Sequence, residues 1–242
     1  MRLYLNSRPL LSTHDVLSMP RKELTDDFYV SIDLGTEMVD SYVDTFKTSE
    51  VLDEIGQIKA NNDDHGVELK ETKEGMGSGV FCGENDVNEG EQIFVYCGEI
   101  REETTKHHER DPTEQDYVMG IVGKTTKHTK GLEINGKGTA KKPYNAIWLN
   151  HSCRNANVKL IKKRVGPKNK KIYLIVGVTT KKVKKGEQFM LNYNGGEGEI
   201  GYFRPYSELL EEYPIVPADK KIIRCLCETP CPYDFARIVK RE

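Results

Sequence analysis

The sequence predicts a mostly β fold with some α structure, and three observations carry that prediction. From Gly66 onward, short apolar runs of strand length alternate with glycine-bearing turns. Helical spacing of apolar residues is confined to one stretch, from Thr36 to Ile58. The length of 242 residues and the 37% hydrophobic content suit one domain with a substantial core, or one domain plus a small extension.

In chain order, Phe28 to Leu34 (FYVSIDL) alternates like a strand. Met38, Val39, Tyr42, Val43 and Phe46 then recur at helical spacing, and Val51, Leu52, Ile55 and Ile58 continue it, predicting one or two helices that end at the polar run Asn61–Asp64. Val67–Leu69 and Val80–Cys82 read as short strands around the turn Gly75–Gly79. A turn at Asn88–Glu91 precedes the strand Gln92–Cys97. Residues 100–113 read as a charged loop and Tyr117–Val122 as a strand. Lys124–Lys142 reads as a basic loop holding a strand at Leu132–Ile134. Lys159–Lys163 and Ile172–Val178 form a hairpin across Gly166-Pro167, and Gln188–Tyr193 is the last clear strand. No internal repeat is visible.

The net charge of −2 hides an asymmetry. Residues 124–185 carry eighteen lysines and arginines against one acid, Glu133, and acidic segments lie on both sides. Such a band either pairs with the chain's own acids, stays solvated, or attracts a polyanion such as nucleic acid. The acidic segments are suited to a basic peptide. The first 20 residues show no signal-peptide pattern, and no stretch approaches the roughly 18 apolar residues of a membrane span. The expectation is a protein without membrane contact, intracellular, with six cysteines that form no disulfide framework.

Three segments concentrate chemistry. Gly77-Ser78-Gly79 follows a strand but leads into another strand at Val80-Phe81, which excludes a dinucleotide-binding turn and leaves a hairpin, or a place where bare backbone approaches a ligand. The run Ala146–Leu149 stops abruptly at Asn150-His151-Ser152-Cys153. Cys225, Cys227 and Cys231 bring three thiols into seven polar residues, a spacing that suits tetrahedral zinc; Cys153 supplies the fourth ligand if the tail folds back over it. Zinc-deaminase chemistry is set aside, because no His-x-Glu precedes a Pro-Cys-x-x-Cys.

Taken together these pieces resemble a SET-domain protein lysine methyltransferase. Gly77-Ser78-Gly79-Val80-Phe81, Val87–Gly90, Tyr96-Cys97-Gly98-Glu99, Tyr117, Asn150-His151-Ser152-Cys153, Gly186-Glu187 through Tyr193 and the cysteine tail match the family's motifs in order, over roughly residues 66–235. The resemblance implies a SET-domain β-clip architecture with a C-terminal pseudoknot; residues 1–65 lie outside the match and add a small helical N-terminal extension. It divides the chain into that extension (1–65), the SET domain (66–194) and a post-SET zinc-binding segment (195–242).

The implied reaction is methyl transfer from S-adenosylmethionine to a protein lysine, by default on a histone tail. Met76, Gly77, Ser78, Tyr117, Asn150, His151 and Leu226 would bind the cofactor. Tyr193 would be the main catalytic residue and Tyr96 would line the lysine channel. Cys153, Cys225, Cys227 and Cys231 would hold structural zinc, and Ala146–Leu149 would be a buried strand aiming Asn150 and His151 at the cofactor. Nucleic acid or nucleosome contact would fall to the basic band 124–185, and the compartment would be nucleus or chromosome, with cytoplasm as the alternative.

The chain departs from the family pattern in places. The cysteine tail is one residue tighter, Ile147 replaces a common arginine, and the register after Cys153 is shifted through Arg154-Asn155-Ala156-Asn157. Leu191 stands where an aromatic residue is usual, which predicts a pocket permitting di- or trimethylation. A helix is expected over Tyr206–Tyr213. The competing readings are a catalytically inactive SET fold serving as a chromatin-binding module and a zinc-dependent nucleic-acid binder.

Overall fold

The computed structural model describes residues 21–31, 37–72, 77–103, 118–122, 131–137, 139–194, 203–227 and 231–240. An N-terminal hairpin, β1 (Arg21–Thr25) and β2 (Phe28–Ser31), leads into helices α1 (Glu37–Phe46) and α2 (Ser49–Asp64). A second hairpin follows, β3 (Glu68–Glu71) with β4 (Ser78–Phe81), and then β5 (Gln92–Val95), β6 (Gly98–Glu102), β7 (Val118–Val122) and β8 (Leu132–Asn135). Next come β9 (Asn150–His151), β10 (Val158–Val165), β11 (Ile172–Thr179) and β12 (Met190–Leu191). The tail contributes β13 (Arg204–Pro205), α3 (Tyr206–Glu212), β14 (Lys220–Arg224) and β15 (Phe235–Lys240).

The mostly β expectation holds. One sheet runs β1-β2-β6-β8-β7, a second runs β5-β11-β10-β12-β9, and the tail forms its own β13-β15-β14 sheet. The expected hairpin of β10 and β11 pairs over eight residues, from Val158↔Thr179 to Val165↔Ile172. In the second sheet β12 lies parallel to both β10 and β9. This insertion of a late segment between two earlier ones is the crossing that the pseudoknot expectation requires.

The two helices form because their apolar residues fall on one face: Val39, Tyr42, Val43, Phe46, Val51, Ile55 and Ile58 are all buried. They join the same core as the sheets. Phe46 meets Phe28 of β2 with ring centroids 4.7 Å apart, and the Tyr42 hydroxyl donates to the Tyr173 carbonyl of β11 at 2.7 Å. The polar run Asn61–Asp64 is the last turn of α2 rather than a linker. Asn61 Nδ2 donates to the Gln92 carbonyl at 3.0 Å, and Asn62, fully buried, donates to the Ile93 carbonyl at 2.9 Å. β5 is the outer strand of its sheet, and these two amides bond carbonyls along it.

Three further readings are corrected. The run Ala146–Leu149 is not a strand: Ala146–Trp148 is a 3₁₀ turn, because the Asn145 side chain accepts from the Ile147 N–H and starts the turn. The charged segment after residue 98 begins as a strand, β6, since Arg101 is neutralised by the buried Glu133 of β8 at 2.8 Å. Gln188–Tyr193 contributes only Met190–Leu191 as strand. The expected Phe28–Leu34 strand is described only as far as Ser31.

A buried polar cluster ties the N-terminal hairpin to the chain entering the 3₁₀ turn. Asp27 accepts from Lys59 of α2 at 2.6 Å and from the Tyr144 hydroxyl at 2.7 Å. Lys59 also lies 4.7 Å from the Tyr144 ring centroid. Burial, then the bond to Asp27, hold the Tyr144 phenol above its ordinary range. Replacing Asp27 by alanine strands two polar partners, so Asp27→Ala is expected to cost about 2–3 kcal/mol in urea denaturation. A loss within about 0.5 kcal/mol, the usual range for a surface change, would show that the cluster contributes nothing to the fold.

Candidate functional site

The site is built where β9 and β12 run side by side. Met190 pairs with Asn150 and Leu191 with His151. Two-residue strands offer little ladder, and side chains supply the rest. Asn157, buried at 5% exposure, donates through Nδ2 to the Gln188 carbonyl at 2.9 Å and accepts through Oδ1 from the Met190 N–H at 2.7 Å. Its own N–H donates to the Met190 carbonyl at 3.0 Å, so one asparagine acts as an extra strand along residues 188–190.

Tyr193 follows β12 in a turn. Its N–H donates to His151 Nδ1 at 3.1 Å, across 42 residues of sequence, and its hydroxyl donates to the Leu149 carbonyl at 2.5 Å. The His151 and Tyr193 ring centroids are 5.2 Å apart. Phe203 stacks on His151 at 4.6 Å and 26° and lies 6.5 Å from the Tyr193 ring, with its N–H bound to Asn194 Oδ1 at 2.8 Å. Burial holds His151 down at about 4, which keeps the imidazole neutral near pH 7.

Asn150 turns toward the β3–β4 hairpin, where Nδ2 donates to the Ser78 carbonyl at 3.2 Å. A side chain at Gly79 would have to displace two amides: a Cβ would lie 2.3 Å from Gln188 Nε2 and 2.7 Å from Asn150 Nδ2. Gly77 adopts φ 67°, and nothing lies within 4 Å of where its Cβ would be. Bare backbone therefore faces two amide side chains, one of which, Gln188, has a buried Nε2 without a hydrogen-bond partner among the described residues.

The tail folds back as its cysteine spacing requires. The sulfurs of Cys153, Cys225, Cys227 and Cys231 lie within 4.8 Å of one another. Cys153 stands 3.7 Å from both Cys225 and Cys231, close to the edge of about 3.8 Å that four sulfurs at ~2.3 Å from one tetrahedral ion would have. Burial, then hydrogen bonding and repulsion among the thiols, push Cys153 far above the thiol range; burial likewise leads the rise of Cys225 to about 12. For Cys231 burial also opposes ionisation, but backbone N–H groups at Phe235 and Tyr233 and the neighbouring thiols outweigh it, so its thiol is lowered. A cation would relieve the repulsion of such a set. The Cys231–Asp234 turn closes through Asp234 N–H to the Cys231 carbonyl at 3.1 Å, and Asp234 takes φ 46°, a conformation that aspartate tolerates.

The structure thus gathers Tyr193, His151, Asn150 and Ser78 by hydrogen bonds, and Cys153 with the three tail cysteines. Tyr96 is buried beside Gly136, against which Ile147 of the 3₁₀ turn also packs. Leu226 is half-buried between two of the clustered cysteines. Met76 and Tyr117 lie outside the described residues. Sequence reasoning missed Asn157, Gln188 and Phe203. A buried asparagine four residues past the cysteine was the available signal for the first; a lone phenylalanine in a tail gave none for the last.

Asn157→Ala is expected to cost about 2–3 kcal/mol by urea denaturation, because it leaves the Gln188 carbonyl and Met190 N–H unpaired in a buried place. The exposed control Lys181→Ala should stay within about 0.5 kcal/mol. Equal effects of the two would show that the β9–β12 pairing holds without the clamp.

None of the curated proteins compared with the chain is similar to it. Solved structures are similar to part of it, among them two of ctPRC2. One is ctPRC2 in an autoinhibited conformation bound to S-adenosylmethionine, with a TM-score of 0.35, 17% identity and coverage of 61% of this chain and 17% of that one. The other is ctPRC2 in complex with H3K27me3 and H3K27M, with a TM-score of 0.34, 17% identity and coverage of 52% and 14%. The chain therefore corresponds to under a fifth of those chains. The family model for the SET domain matches residues 77–194, which include Ser78, Asn150, His151, Cys153 and Tyr193. Residues 77–194 of this chain are a SET domain.

Proposed function

We propose that this chain is an S-adenosylmethionine-dependent protein-lysine N-methyltransferase acting on histone tails. The observation that carries the reading is that β9 holds two adjacent residues of this site, His151 bonded to Tyr193 and Asn150 beside the bare Gly77–Gly79 backbone. Residues present fit the donor's polar end: the open backbone at Gly77, the Asn150 amide and the unpartnered Gln188 Nε2 all offer hydrogen-bonding capacity. Met76, Tyr117 and Leu226 complete the pocket in this proposal. S-adenosylmethionine, when bound, supplies an electrophilic methyl on a sulfonium sulfur.

The chain's own residues then do three things. The Tyr193 hydroxyl donates a hydrogen bond to the Leu149 carbonyl, so its oxygen keeps lone pairs to orient an incoming amine. In-line displacement makes that orientation the main catalytic contribution. The apolar, aromatic surroundings of Tyr193, Phe203 and Tyr96 disfavour an ammonium and favour the neutral amine that attacks. Leu191, which lacks a hydroxyl and the bulk of an aromatic ring, leaves room for further methylation rounds.

In this reading the four cysteines hold structural zinc, which supplies the charge that their thiols need in order to ionise together. The division into residues 1–65, 66–194 and 195–242 is kept as a functional one: extension, catalytic domain and zinc-bearing tail. Acidic segments receive the lysines and arginines of the tail substrate, and nuclear or chromosomal residence follows from such a substrate.

One observation favours a binding role beside the catalytic one. Lys159, Lys162, Arg164, Lys168 and Lys171 on and around the β10–β11 hairpin are exposed. This supports nucleic acid or nucleosome contact through the basic band, with a salt-dependent affinity as its signature.

The deciding experiment is a radiolabelled-methyl assay on core histones, run with the unaltered protein and with Tyr193→Phe. Methyl incorporation is expected for the first and a loss of about a hundredfold for the second. Cofactor binding without incorporation into any core histone or arrayed peptide would favour the inactive binding module. Mass spectrometry of the product should show di- or trimethyl-lysine, shifting toward monomethyl in Leu191→Phe; monomethyl product alone from the unaltered protein at long times would remove the role given to Leu191.

A further inference from the structure

We propose that His151 is a positioning residue whose single imidazole links the backbone of Tyr193 to the sulfur of Cys153, so that the metal-bound tail fixes where the catalytic phenol sits. The inference rests on the function proposed above and adds a coupling between its two parts.

The geometry dictates which way the link runs. The Tyr193 N–H can only donate, and it points at Nδ1 from 3.1 Å, so Nδ1 carries a lone pair. The proton of the neutral ring is then on Nε2. Nε2 lies 3.0 Å from Cys153 Sγ, so the ring donates to sulfur and the sulfur accepts. A thiolate bound to a metal has no proton and accepts better than a thiol, so the four-cysteine set and the ring favour each other's state. The chain of bonds is thus Tyr193 N–H to imidazole to sulfur, with the same polarity throughout.

Tyr193 needs this support because of its place in the chain. β12 ends at Leu191, and the described pairing of β12 with β9 and β10 involves only Met190 and Leu191. Tyr193 lies in the turn beyond it, and its N–H turns to the His151 ring. The ring in turn is held at both nitrogens and on one face by Phe203, which belongs to the tail. Loss of the tail or its metal would therefore release the ring from two of its restraints at once, and the Tyr193 backbone with it.

Two substitutions separate the halves of the link. In His151→Asn, Oδ1 can take the place of Nδ1 and accept from Tyr193, but the side chain is too short for Cys153. In His151→Gln, the terminal amide can reach the sulfur, but the Tyr193 N–H loses its acceptor. Zinc release to a chromogenic chelator should be about tenfold faster in His151→Asn, with the smaller loss in turnover. Turnover on core histones should fall about tenfold in His151→Gln, with KM shifting less than kcat and the smaller effect on zinc release.

A third measurement needs no variant. In zinc-loaded protein with ¹⁵N-labelled histidine, the His151 resonances should report the Nε2–H tautomer, and chelation of zinc should alter them. An Nδ1–H tautomer, resonances that ignore zinc removal, or equal losses in both variants on both readouts would overturn the link. Unaltered protein that holds no zinc and transfers no methyl would overturn the proposed function and this inference with it, whereas an active zinc protein with wild-type behaviour in both variants would overturn this inference alone.

Discussion

The site depends on one constraint: a two-residue strand, Met190–Leu191, must stay parallel between β10 and β9. Nothing about so short a strand is stable by itself. It is held because polar side chains with fixed reach replace the missing ladder. Asn157 clamps residues 188 and 190, Ser152 N–H reaches the Leu191 carbonyl at 2.9 Å, and the His151 ring accepts from the Tyr193 N–H. Beneath them the Phe94–Phe189 edge-to-face pair, with centroids 5.0 Å apart, anchors the chain entering β12 in the core. Remove this insertion and Asn150 and Tyr193 have no reason to meet.

The N-terminal helices serve the same end indirectly. The carbonyls of β5 are capped by Asn61 and Asn62, and β5 pairs with β11, whose other edge carries β10 and then β12. Asp27 and Lys59 grip Tyr144 one residue before Asn145, and Asn145 starts the turn that delivers Asn150. The first described residues are thus wired to the site through two short polar paths, although none of their side chains is among the site residues.

Legibility in the sequence followed the physics of each segment. Both helices and the β10–β11 hairpin were readable because their burial patterns have a period, and the cysteine set was readable because thiols at that spacing in a polar tail have few other uses. Where an ion pair made burial possible, pattern failed: β6 contains Glu99, Arg101 and Glu102 and reads as loop until Glu133 is placed opposite Arg101. The tail strands β14 and β15 carry Lys220, Lys221, Arg224, Arg237 and Lys240, a density of charge that hides the strand pattern. The run Ala146–Leu149 has the composition of a strand, and only the capping geometry of Asn145 makes it a 3₁₀ turn. Asn157 and Phe203 act through partners 31 and 52 residues away, a distance over which no local pattern operates.

The tail has a different dependence from the rest. Its three strands form a sheet of their own, and the contacts that bring it to the SET domain include the cysteine set, the stacking of Phe203 on His151 and Tyr193, and the Phe203–Asn194 bond. Without a cation that sheet is asked to bring four thiols to van der Waals distance, where burial and mutual repulsion keep Cys153 and Cys225 protonated. With one, the same closeness becomes the attraction that docks it. A small sheet with a thin core gains most from such a staple. Because Phe203 comes from this tail and packs on both the His151 and the Tyr193 rings, the surroundings of those two side chains are complete only when the tail is docked.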